Sequence, residues 1–94
     1  MEKKKLKYCP YGQAYVTVDE HGAISLVSYR TTVIVIDPMG WLTCSGTYSA
    51  TTRKHISAFM KEYTNFDYYT ARDAYLNNYS INIYNGEIIK LGEG

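Results

Sequence analysis

The seven residues Ser49, Thr51, Thr52, Arg53, Lys54, Ser57 and Lys61 hold the chain's clearest capacity for chemistry. Three of the first four bring hydroxyls just ahead of two cations. Arg53, Ser57 and Lys61 then fall at i, i+4 and i+8, with Lys54 beside them, so on a helix they form one basic stripe. A helix that starts near Thr51 has unpaired N–H groups and the positive end of its dipole in the first turn. Cations are disfavoured there by roughly 0.3–1 kcal/mol each. Positive side chains kept at such a place, beside hydroxyls and open amides, predict a seat for an anion: a phosphate, a nucleotide or a carboxylate on a partner protein. The competing expectation is a set of ordinary solvated side chains.

Arg72 is the second oddity. Helical spacing sets it between Tyr68 and Tyr75 and one turn before Leu76, on an apolar face. Its stem can pack there while the head reaches water or stacks on a tyrosine, or the guanidinium can be offered to an anion across an aromatic surface. His55 falls on the other flank of the first helix, beside Glu62. With no carboxylate or nucleophile at useful spacing it is the sole acid–base candidate and a weak one. Ser45, Ser49 and Cys44 form no G-x-S-x-G elbow. No P-loop follows Gly46, and there is no G-x-G-x-x-G run and no paired-carboxylate signature. These absences argue against an enzyme. His21 and His55 lack metal-ligand spacing with Cys9 or Cys44, so neither a metal nor another cofactor is expected.

The elements that must position these residues follow from patterning. Ala14–Val18 and Ala23–Ser28 read as strands around an Asp19-Glu20-His21-Gly22 turn. Tyr29-Arg30 reads as a bulge, a kink or a tight connection. Thr31–Ile36 is the strongest strand, and its unbroken Val33–Ile36 run predicts burial on both faces. Asp37-Pro38-Met39-Gly40 fits a type I turn with a glycine bulge, returning into a strand over Trp41–Tyr48. Ile56, Phe59, Met60 and Tyr63 then recur at helical spacing, which predicts a helix from about Thr51 to Tyr63. A second helix is expected at about Asp67–Asn78, with Tyr68, Ala71, Tyr75, Leu76 and Tyr79 on its apolar face. Ser80–Tyr84, Asn85-Gly86 and Glu87–Leu91 read as a closing hairpin. Strands, two helices and strands imply an α+β domain, an antiparallel sheet with both helices packed on one face.

Composition sets the outer bounds. With 94 residues and 46 % hydrophobic content the chain suits one small domain over residues 8–94. Lys3, Lys4, Lys5 and Lys7 predict a basic, flexible start over residues 1–7, solvated or touching phosphate. From residue 8 onward there are 6 basic and 8 acidic residues. That balance excludes a strongly basic nucleic-acid binder, and the formal net charge of +1 excludes an acidic DNA mimic. Eleven tyrosines stand against 2 Phe and 1 Trp. They suit half-wet cores and binding surfaces alike. No run approaches the ~18 apolar residues of a membrane span and no signal-peptide core follows the lysines, so a cytoplasm and reduced thiols are expected.

The motifs Ser28-Tyr29-Arg30-Thr31, Gly46-Thr47-Tyr48-Ser49, Thr51-Thr52-Arg53-Lys54-His55-Ile56 and Phe59 also resemble a known pattern. The pattern, S-Y-x-T … G-x-Y-S-x-T-T-x-x-H-I-x-x-F, recurs in small bacteriophage and prophage proteins grouped as a domain of unknown function. The resemblance spans about residues 24–63 and brings no activity and no catalytic residues. It implies a phage or mobile-element origin and a bacterial cytoplasm. Small phage accessory proteins often inhibit host machinery stoichiometrically, anti-CRISPR proteins among them. The expected role is therefore binding to a host or phage macromolecular complex, best read as inhibition of a host defence complex. The alternative is a nucleic-acid or nucleotide-binding domain that uses the basic helix start and tyrosines. Self-association into a homodimer is a third expectation.

Overall fold

The computed structural model describes residues 2–10, 13–46 and 49–91. Seven strands run in chain order across one antiparallel sheet: β1 Glu2–Lys4, β2 Ala14–Val18, β3 Ile24–Ser28, β4 Thr31–Ile36, β5 Trp41–Cys44, β6 Tyr79–Asn82 and β7 Ile88–Lys90. Two helices, α1 Ala50–Tyr63 and α2 Tyr68–Leu76, interrupt the meander between β5 and β6 and pack on the sheet. The fold is α+β, as patterning predicts.

Register explains which side chains go inward. Val16, Leu26, Ile34 and Cys44 lie opposite one another across β2 to β5, and Ile36, Leu42 and Ile81 continue the row across β4 to β6. These residues meet Ile56, Phe59 and Met60 of α1 and Ala71 of α2 in one buried cluster. Val35 pairs with Ser25 and Thr43 and stays partly exposed, so the Val33–Ile36 run is not covered on both faces.

The connections use few devices. Asp19 and Asp37 each accept two backbone N–H bonds on Oδ1, from His21 and Ala23 and from Met39 and Trp41, all at 2.9 Å. Gly22 (φ +91°) and Gly40 (φ +94°) close these turns in the left-handed region that glycine adopts without a Cβ penalty. Tyr29-Arg30 is a tight two-residue connection with both residues left-handed, at φ 50° and 72°. The last hairpin differs from the expected Asn85-Gly86 turn. Asn82 Oδ1 accepts from the N–H groups of Tyr84 and Asn85, and Gly86 N–H donates to the Asn82 carbonyl. The chain therefore bends from Ile83, and only Gly86 takes the left-handed conformation (φ +76°). The β5 strand ends at Cys44, and Tyr48 lies outside the described residues.

Two further expectations change. The start of the chain is not a frayed arm: Lys3 and Lys4 pair with Thr17 and Val16, and Leu6 is fully buried. A single large apolar residue set among four lysines is enough to anchor the segment. On α2 the buried residues are Ala71 and Ala74, while Tyr75 and Leu76 are exposed. Two alanines let the helix approach β5 and β6 closely, which rings at those positions would prevent.

Candidate functional site

Helix α1 begins one residue before its expected start. Ser49 is its N-cap and accepts the Thr52 N–H at 3.2 Å, and Arg53 N–H already bonds the Ser49 carbonyl. Arg53 thus closes the first turn and Lys54 opens the second. Their mismatch with the dipole is smaller than the sequence implies, because it fades within one turn.

Ile56, Phe59 and Met60 pack against the sheet, and this sends Arg53, Lys54, Ser57 and Lys61 outward. All four line one open cleft of about 630 Å³. The facing wall is Tyr8 and Cys9, from the segment after β1. Tyr68, the first residue of α2, closes one end. That wall is held in place by burial of Leu6 and by Lys7 N–H, which donates to Glu62 Oε1 of α1 at 2.7 Å. The Lys61 ammonium lies 4.4 Å from the Tyr8 ring centre.

No carboxylate lines this cleft. The ion pairs among the described residues are His21–Glu20 and Arg72–Asp73, both 3.6 Å, so Arg53, Lys54 and Lys61 are paired with no carboxylate there. Unneutralised cations facing partly apolar walls attract anions more strongly than the same charges in bulk water would.

Of the candidate hydroxyl residues only Ser57 lines the cleft; Ser49, Thr51 and Thr52 do not. Thr52 is buried, and its Oγ1 lies 3.2 Å from Ser28 Oγ and 3.3 Å from Ser49 Oγ. Ser28 Oγ also bonds His55 Nδ1 at 2.8 Å, with the Tyr29 ring 5.8 Å from the imidazole. His55 is therefore not on an open flank but 1 % exposed, and burial holds its pKa below the ordinary value. This network ties the start of α1 to the end of β3. Ser49 and Thr52 serve it and the helix cap. Thr51 is exposed but does not line the cleft.

The second group of candidates separates. Tyr68 faces the cleft, Arg72 lies 5.0 Å over the Tyr69 ring and pairs with Asp73, and Tyr75 is exposed. Besides Ala50 and Ala58 of α1, two cleft residues escape the sequence reading. Tyr8 and Cys9 sit 40 or more positions from the basic stripe, and no spacing rule connects them to it. Among the described residues no group of three His, Cys, Asp or Glu could hold a metal, and no disulfide joins Cys9 and Cys44. Cys44 is buried, which pushes its thiol pKa up. No helix among the described residues is long and apolar enough to cross a membrane.

Fold and site together define a small α+β domain that carries an open cationic cleft beside its first helix. Residues 2–78 match the sequence profile of a family of unknown function, DUF8033, and the chain belongs to that family. The match runs well beyond residues 24–63 and takes in all of α2. Neither a curated protein nor a solved structure matches the chain.

Proposed function

We propose that this protein works by stoichiometric binding, with the cleft on α1 as its contact and an acidic surface of a macromolecular complex as its target. One observation carries the reading: Arg53, Lys54 and Lys61 converge on a single cleft that holds no carboxylate. Arginine and tyrosine are favoured anchors at such contacts. The one titratable group that resembles a catalytic base, His55, is sealed in the interior. The likeness of Ser28–Thr31, Gly46–Ser49, Thr51–Ile56 and Phe59 to motifs of phage and prophage proteins supports a host defence complex in a bacterial cytoplasm as the target, and an inhibitory, anti-CRISPR-like role.

Capture from bacterial lysate with the wild type and an Arg53→Glu/Lys54→Glu variant tests this. The wild type is expected to retain one defined complex and the variant to lose at least tenfold of it. Equal recovery by both removes the cleft from the reading. A nucleotide or single strand is the second reading, favoured by the rings of Tyr8 and Tyr68 in the same cleft. Titration with single-stranded oligonucleotides at two salt concentrations decides it, since phosphate contacts weaken steeply with salt.

A further inference from the structure

The cleft continues. A second depression of about 390 Å³ is lined by Ser57, Lys61, Thr64, Asn65, Phe66, Asp67 and Tyr68. It shares Ser57, Lys61 and Tyr68 with the first, so the two form one groove along the outer side of α1. From Ala50 to Thr64 the helix rises about 20 Å at ~1.5 Å per residue. An extended peptide of about six residues covers the same length at ~3.3 Å each.

Charge along this groove is graded. Arg53 and Lys54 stand at one end and Lys61 at the middle. Asp67 stands at the other end, where its Oδ1 accepts from the Thr70 N–H and hydroxyl as the cap of α2. Between the ends lie the Ser57 hydroxyl and the Asn65 amide, both exposed, over the part-buried rings of Phe66 and Tyr68. A nucleic-acid strand brings a negative charge at every step, including the step that meets Asp67. A polypeptide can place its acids at one end only, and its own N–H and C=O groups suit the amide and hydroxyl between.

We infer that this groove receives an extended segment of a partner protein, with its acidic side chains at the Arg53–Lys54 end and an apolar or aromatic side chain over Tyr68 and Phe66. The inference rests on the binding role proposed above and names the ligand.

Selection of displayed random 12-residue peptides on the full chain tests it, with a dT12 oligonucleotide as a parallel probe. The enriched peptides are expected to carry two or more Asp or Glu, followed within six positions by an aromatic or large aliphatic residue. By fluorescence anisotropy they bind Arg53→Glu/Lys54→Glu at least tenfold more weakly than wild type. They bind Lys3→Glu/Lys90→Glu, which makes the same charge change off the groove, as wild type does. Enriched peptides without acidic excess, or with equal affinity for the groove variant, overturn the inference. If dT12 binds and is lost in the groove variant while no peptide is enriched, the ligand is wrong and the binding role stands. If neither probe binds, the peptide ligand falls, and capture from lysate decides the binding role separately.

Discussion

At the scale of single residues, the polar side chains around the start of α1 divide into two jobs. Thr52, Ser28 and His55 satisfy one another in the interior, with the exposed Ser49 cap joined to them through Thr52, whereas Arg53, Lys54 and Lys61 are paired with no carboxylate among the described residues. The buried set makes a pH prediction. Burial depresses the His55 pKa in the folded chain, so below pH 6.5 the unfolded chain takes the proton first. Stability is therefore full above 6.5 and falls as pH drops through 6.5 toward the depressed folded value. Urea midpoints at pH 7.5, 6.0 and 5.0 should show that loss. A His55→Asn variant should be flat across the window but weaker at pH 7.5 by about 1–3 kcal/mol, the usual cost of disturbing a buried hydrogen bond. His21→Gln, on an exposed turn, should retain the wild-type slope. The basic stripe was legible because its members share one helix and 3.6-residue geometry. The polar network was not, since Ser28 and His55 stand 27 positions apart and only the sheet brings them together. Ser49, Thr52 and His55 thus fasten the start of the helix to β3.

Elements here are set by their turns. Asp-x-x-Gly closes two hairpins in the same way, and both were readable because aspartate at the first position and glycine at the fourth have fixed tasks. The Asn85-Gly86 pair misled because Asn82, three residues earlier, captures the loop first and its Nδ2 donates to the Met39 carbonyl of the neighbouring turn. Helix α2 misled in phase, because hydrophobicity alone ranks tyrosine above the alanines that the close approach needs. The Tyr29-Arg30 connection is the element with most to gain. Two-residue hairpin turns with both residues left-handed favour Asn-Gly, and a left-handed L-residue costs roughly 1–2 kcal/mol. Tyr29 is constrained by the His55 ring beneath it, whereas Arg30 is exposed. Arg30→Gly should therefore stabilise the protein by about 0.5–1 kcal/mol, after subtraction of the entropy glycine adds to the unfolded chain. A rise of a few degrees in Tm checks this, and a fall would mean that Arg30 holds the turn by a contact of its own.

For the whole molecule, the distribution of charge matters more than its total of +1. Two exposed ion pairs contribute little to stability, so raising NaCl from 50 to 500 mM should move the unfolding free energy by under ~0.5 kcal/mol. Peptide affinity at the groove should fall several-fold over the same range, because its exposed cations are screened. The first strand supplies the sharper test. Composition presents residues 1–7 as a basic tail, and four lysines obscure the one residue that decides the matter. Leu6 is completely buried in the cluster beneath α1, Lys7 is bonded to Glu62, and Tyr8 carries Lys61. These successive contacts make the same segment the edge of the sheet and the wall of the groove. Leu6→Ala should then cost about 2–5 kcal/mol, the range for deleting a buried leucine side chain in a packed core. A solvated arm would tolerate the change within ~0.5 kcal/mol. Because the wall is fastened by that side chain, Leu6→Ala at a temperature where it stays folded should also weaken peptide binding. Lys4→Ala, a neighbour on the solvent side of the same segment, should leave the unfolding free energy nearly unchanged. Loss of stability without loss of binding would mean that α1 alone presents the groove, and that Tyr8 stands beside it without shaping it.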